Sequence, residues 1–302
     1  MASLDVAPAM TFHTSDGVRL NVVESGSGPD TLVLLHGWVM DHRSWDHVAA
    51  ETRGVRVLRY DARGHGASGA APKSAATIDR LADDLAELIT HRAHGRVFLA
   101  GHSLGGMTMM ALADRHPKLV AERVAGVAFV NSASGGLAEL TFGLPRWVAA
   151  PILFIEMLAN LLIVRLRGRR LLSPRLCGVT KPVVRFLAFG RKPGKGHVAA
   201  AASQLGACSP SGMVAFREEL KSHERAHALR VFSDVPAIVL AGDRDRLCTL
   251  AQAQAITDAL PKADLVVYPG AGHMLPYERT EEVVSHLSRL VAHTGLLTKA
   301  TA

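Results

Sequence analysis

Val97-Phe-Leu-Ala-Gly-His-Ser-Leu-Gly-Gly106 sets an apolar run of strand length against a Gly-x-Ser-x-Gly turn, and the run Leu104–Arg115 that follows is helical in pattern. A serine between two glycines at a strand-to-helix junction is the sequence context of a nucleophile elbow. Gly101 and Gly105 leave room for a sharp turn that lifts Ser103 clear of the sheet. The following helix aims its N-terminus at the same place and favours negative charge that develops there.

On either side the chain alternates short β-like runs with helical stretches, which argues for a mostly parallel sheet with crossover helices. Upstream, Val18–Glu24, Thr31–Leu35 and Val55–Tyr60 read as strands, the first two separated by the turn-rich SGSGPD. Ile78–Arg92 places apolar residues at 78, 81, 85, 88 and 89, a helical spacing. Downstream, Val124–Val130 is a strand. Alternation then stops. It resumes with the strand Ala237–Ala241, the helical Leu250–Leu260, the strand Asp264–Tyr268 and a helix near Thr280–His293. The reading is therefore a split core, residues 1–132 and 231–302, with residues 133–230 inserted as a basic cap or lid.

A serine hydroxyl is a weak nucleophile until a base takes its proton and a third group orients that base. Both follow Ser103 in the order serine, acid, histidine. Asp245 lies in AGDRD just after a strand, and His273 in PGAGHM just after the next. Asp243 competes for the acid role; Asp245 is preferred because it sits at the loop apex, away from the strand end. Tetrahedral intermediates of acyl transfer need backbone donors for the oxyanion. The Leu104 amide is one. The second is expected from the loop after an early strand, where Leu-Leu-His-Gly-Trp38 points to the amide of Trp38. His36 reads as structural.

With His-Gly-Trp at 36–38, Asp61-x-Arg-Gly-His-Gly-x-Ser68, Gly-His-Ser-Leu-Gly-Gly at 101–106, Gly-x-x-Asp245 and Gly-x-Gly-His273 in this order, the chain resembles the α/β-hydrolase fold family, most closely its serine esterase and lipase-like branch. The resemblance covers the core on both sides of the insertion. It implies an α/β fold with a mostly parallel eight-stranded sheet flanked by helices, and a helical cap between the sixth and seventh strands. It also implies a Ser103–His273–Asp245 triad, an oxyanion hole at Trp38 and Leu104, and no cofactor. The Asp61–Ser68 segment is expected to be a structural turn, so Asp61 and His65 are not sites. Epoxide hydrolases and haloalkane dehalogenases of this fold carry aspartate at the elbow, whereas a serine fits acyl transfer.

His223-Glu-Arg-Ala-His227 matches the H-E-x-x-H pattern of zinc peptidases. No convincing third ligand follows, and a catalytic zinc needs three protein ligands. The run FREELKSHERAHAL reads as a solvated helix, and no metal site is expected.

Net charge is +7, but residues 133–230 hold 15 Lys+Arg against 5 Asp+Glu, and residues 165–195 hold ten basic side chains and no acidic one. Trp147–Leu166 has the length of a membrane span, yet it contains Pro151, Glu156, Asn160 and Arg165, with Glu156 and Asn160 on one narrow face. A mobile lid helix fits better than a span. The basic, leucine- and phenylalanine-bearing stretch suits an anionic membrane surface over residues 147–195. Aromatic residues at 5% are too few for a base-stacking protein, so no nucleic-acid partner is expected. Three scattered cysteines exclude a disulfide framework. The N-terminus lacks a signal-peptide pattern. The expected setting is the cytoplasm, with the protein soluble or peripheral to a membrane.

These readings converge on hydrolysis of carboxylic esters with an apolar acyl group. The same residues would serve a lactonase, thioesterase, C–C hydrolase or cofactor-free perhydrolase. A non-catalytic, membrane-associated binding protein of this fold is the reading from a different class.

Overall fold

Strand alternation divides the apolar residues between two faces. Val33 and Leu35 of β3 (Thr31–Leu35), with Val97 and Leu99 of β5 (Val97–His102), enter one buried cluster. Leu32, Leu34, Phe98 and Ala100 enter the other. Both strands are buried throughout, as parallel strands covered by helices must be. The computed structural model describes residues 8–70, 73–138, 147, 177–194, 196–205, 208 and 210–297.

The remaining strands are β1 (Ala9–His13), β2 (Arg19–Ser25), β4 (Arg56–Tyr60), β6 (Val124–Val130), β7 (Ala237–Gly242) and β8 (Asp264–Tyr268). They form one eight-stranded sheet in the order β1-β2-β4-β3-β5-β6-β7-β8. The β1–β2 and β2–β4 pairs are antiparallel and the rest parallel. One face carries α2 (Ile78–Arg92) and α3 (Leu104–Arg115); the other carries α1 (Asp46–Glu51) and α10 (Thr280–Leu297). Helix α2 starts where Thr77 accepts a hydrogen bond from the Arg80 amide, a side-chain N-cap. Also in the core are α4 (Pro117–Arg123), then α8 (Leu250–Ala259) and α9 (Leu275–Glu278) near the end of the chain.

Between β6 and β7 lie α5 (Cys177–Ala188), α6 (His197–Leu205) and α7 (Pro210–Ser222). They are the described part of the helical insertion. Of the expected lid helix 147–166, only the exposed Trp147 falls within the described residues. Among the described residues no helix is long and apolar enough to cross a membrane.

Two local expectations need correction. Strand β1 has no counterpart in the sequence reading: it lies at the sheet edge with alternating exposed and half-buried residues, so no apolar run announces it. The helix expected through His223–His227 stops at Ser222, whose hydroxyl turns back onto the Glu218 and Glu219 carbonyls. A 3-10 turn, Ala226–Phe232, follows. His223 turns inward, Glu224 accepts from the Gly136 amide at 2.7 Å and His227 meets Asp114 at 3.1 Å, so the H-E-x-x-H residues share no helical face.

The Asp61 segment is a turn built on that carboxylate. Its oxygens accept from Asn21 Nδ2 (3.0 Å), the Ala67 amide (2.8 Å) and both the amide and Nδ1 of His42 (2.8 and 2.7 Å). Asp41, His42 and Asp61 bring ligand-type atoms within 4.8 Å of one another, yet Asp41 is engaged by Arg43 and Asp61 by the donors just named.

Buried histidines make the fold acid-sensitive. Burial pushes His65 down to about 3; burial and then the Arg225 guanidinium push His223 down to about 4. An unfolded histidine takes up its proton near 6.5, so this stabilisation is complete above about pH 6.5 and is lost as pH falls toward the folded values. At about pH 5 the loss is roughly 2 kcal/mol for each ring. Thermal melts should therefore show a distinctly lower midpoint at about pH 5 than at about pH 7. Equal midpoints would mean that these rings are not buried in the neutral form.

Candidate active site

Ser103 occupies the turn between β5 and α3 with φ 52° and ψ −116°, a left-handed conformation that costs a non-glycine residue backbone energy. Packing holds it there. Its amide donates to the Val130 carbonyl at 3.0 Å, and its carbonyl accepts from the Ser132 hydroxyl at 2.8 Å and from the Gly106 amide at 2.9 Å. At Gly105 a Cβ would lie 2.4 Å from the Leu35 carbonyl oxygen, so only glycine lets α3 start this close to β3. Leu104 opens the helix, which puts its amide among the unsatisfied N-terminal donors.

The second expected donor sits on the loop after β3. His36 is fixed there as a neutral ring: Nε2 accepts from the Ala62 amide at 2.9 Å, and Nδ1 therefore donates to the Gly37 carbonyl at 2.8 Å. Burial lowers its pKa. Trp38 donates its indole N–H to the Met213 carbonyl of α7 at 3.2 Å. Val39 follows with φ 57°, a strained value for a β-branched residue. The Asp41 amide then donates to Gln204 Oε1 of α6 at 3.2 Å. Insertion helices thus brace this loop from outside the sheet.

Asp245 and His273 meet. The imidazole Nδ1 lies 2.8 Å from Asp245 Oδ2, and both residues are buried. The other carboxylate oxygen accepts from the amides of Leu247 (2.8 Å) and Cys248 (2.9 Å), which orients the acid. Asp243 faces elsewhere and accepts from the Gly270 amide at 2.7 Å. The residue before Ser103 touches this pair: the ring of His102 is centred 4.7 Å from that of His273, and His102 Nε2 donates to the His273 carbonyl at 2.8 Å. Among the described residues no hydrogen bond joins the Ser103 side chain to His273. Burial, with the Asp245 charge adding to it, pushes the Cys248 thiol well above its ordinary range, so Cys248 is present as the neutral thiol.

Several contributors escaped the sequence reading. Asn131, the residue after β6, has φ 44° and binds the acid and histidine loops together. Its Nδ2 donates to the carbonyls of Gly272 (2.9 Å) and His273 (2.7 Å), and its Oδ1 accepts from the Gly242 amide (2.9 Å). Its place at the carboxyl end of a parallel strand was the available signal. His102 is buried, and burial followed by the neighbouring His273 holds its pKa well below the usual range. It therefore does not add a second positive charge beside His273. Cys248 and Gln204 carried no local signal.

A family profile described as the alpha/beta hydrolase family matches residues 32–286. The chain is 30% identical over 265 residues to the dihydrolipoyllysine-residue acetyltransferase component of the acetoin cleaving system from Pseudomonas putida, across 85% of this chain and 62% of that protein. It is 28% identical over 267 residues to the pimeloyl-(acyl-carrier protein) methyl ester esterase of Nitrosomonas europaea, across 88% of this chain and 97% of that one. Among solved structures, an esterase from Exiguobacterium antarcticum matches with a TM-score of 0.74 at 19% identity, across 95% of this chain and 100% of that one, a likeness of fold. The family match runs from β3 into the last helix and takes in every loop that carries Ser103, Asp245 and His273, and the chain belongs to the alpha/beta hydrolase family.

Proposed function

We propose that the chain is a serine hydrolase that cleaves carboxylic esters with an apolar acyl group through an acyl-enzyme. The observation that carries this reading is the Asp245–His273 hydrogen bond beside a strained serine turn. Ser103 Oγ attacks the ester carbonyl as its proton passes to His273 Nε2. Asp245 holds Nδ1–H, which fixes the tautomer and stabilises the imidazolium. The amides of Trp38 and Leu104 bind the oxyanion. The C–O bond then breaks and the alcohol leaves with the proton from Nε2; water repeats the sequence and frees the acid. Catalytic hydrogen bonds commonly tighten only when substrate is bound, so the lack of a resting Ser103–His273 hydrogen bond among the described residues is compatible with this relay.

The similarity to an esterase across most of both chains supports ester over other bonds. The acyl preference is supported by Val39 and Met274, neighbours of Trp38 and His273, which pack with Met40, Val184 and Phe189. Within this reading residues 133–230 are the cap over a core of 1–132 and 231–302, although Ala228 and Leu229 already join the apolar cluster of the sheet. A chain-length series of nitrophenyl esters tests the preference. Turnover should rise beyond acetate, and a maximum at acetate would contradict an apolar acyl site.

A second reading concerns the surface of α5. Val183 and Phe186 are exposed there, with Lys181, Arg191 and Lys192 exposed nearby. Apolar side chains ringed by cations suit an anionic lipid surface. Flotation with phosphatidylserine vesicles should capture the protein, and added salt should release it. Equal capture by zwitterionic vesicles would argue against this surface.

A further inference from the structure

The loop that bears His273 is held from two sides. Asn131 and His102 hold its carbonyl from the core. The other side is held by the end of α5, in the insertion. The Ala188 carbonyl accepts from the amides of His273 (2.9 Å) and Met274 (3.1 Å), and the Arg191 amide donates to the Gly270 carbonyl at 2.9 Å. The two chains touch backbone to backbone: a Cβ at Gly190 would lie 2.1 Å from the Gly270 oxygen.

Across this seam lies Glu278, the last residue of α9. One carboxylate oxygen accepts from the Gly190 amide at 2.8 Å, the other from the Gly272 amide at 2.9 Å. Among the described residues no cation pairs with it; it is held by backbone N–H groups alone. A carboxylate has two acceptor oxygens, as this double contact requires, whereas a glutamine amide has one and would set an N–H against an N–H. Gly272 immediately precedes His273, so any opening of the clamp is felt at the imidazole.

Resting on the serine-hydrolase reading above, we propose that Glu278 is a positioning residue: it ties the seated cap end at Gly190 to the His273 turn, so that cap seating and alignment of the base are one event. Displacing a reacting group by about 1 Å can cost roughly 100-fold in rate. Loss of the clamp should therefore act on kcat far more than on KM.

The test compares the full chain with Glu278→Gln, which conserves volume. Kinetics are read with a nitrophenyl ester, and amide hydrogen exchange is read at Gly190 and Gly272. In Glu278→Gln, kcat should fall roughly 10- to 100-fold with KM changed less than about threefold. Exchange at both glycines should accelerate together, while α2 amides stay as in wild type. An unchanged kcat, an effect on KM alone, or a fall in kcat without faster exchange at both glycines overturns the proposal. Should the variant fail to fold, the wild-type protein decides: the two glycine amides should open with one common exchange rate, and independent rates overturn the coupling. A wild type that neither turns over esters nor reacts with a fluorophosphonate would sink the hydrolase reading instead. The exchange data would still judge the clamp.

Discussion

Ser103→Ala should abolish fluorophosphonate labelling and lower ester turnover by at least roughly 10,000-fold, the scale lost when a nucleophile of this type is removed. What remains would be the contribution of the oxyanion donors and of binding. The fold should survive, because the Ser103 side chain makes no helix-capping hydrogen bond and its backbone contacts do not depend on the hydroxyl. Ser103→Gly goes further. At φ 52° a glycine removes the strain of the turn, and this variant should be equally inactive yet more stable by about 1 kcal/mol. Intact-protein mass spectrometry after labelling reads the first effect, and thermal melts the second. A Ser103→Ala protein that still labels and turns over ester at the wild-type rate would place the nucleophile elsewhere.

The second large effect separates two carboxylates. Asp245→Asn leaves an oxygen for the Leu247 and Cys248 amides but turns an NH2 group toward His273 Nδ1. The ring must then accept at Nδ1 and carry its proton on Nε2, where it cannot take one from serine. A loss of roughly 10,000-fold in kcat is expected for the wrong tautomer. Asp243→Asn removes only part of a loop contact to the Gly270 amide and should cost less than about tenfold. Steady-state kinetics on the pair checks the assignment. Equal losses would mean that Asp245 acts through the loop, and a larger loss at Asp243 would reverse the roles.

These expectations stand on sequence features of unequal reach. The helices Ile78–Arg92 and Leu104–Arg115 and the strands Val124–Val130 and Asp264–Tyr268 have the limits that periodicity assigns them. Each is long or apolar enough for its own pattern to dominate. Strand β1 carries little apolar area and depends on pairing with β2, so its residues do not announce it. The helix expected through His223–His227 fails for the opposite reason. Its polar pattern is locally helical, but the helix ends at Ser222 and His223 turns into the interior.

Ser103, Asp245 and His273 stand out in the sequence because each sits in a short glycine-bearing turn at a strand end, where local chemistry leaves a signature. Their support was not. Asn131 reaches Gly272 and His273 across 141 and 142 positions, Trp38 reaches Met213 across 175, and Glu278 reaches Gly190 across 88. A hydrogen bond of that separation has no periodicity and no spacing rule, since the chain between its ends is free to take any path. The residues themselves therefore determined the parallel sheet, the sharp turn that carries a serine and the order of the groups behind it. The carboxamide that ties Gly242 to the histidine loop and the clasp between the insertion and that loop came only when distant backbone amides and side chains packed together.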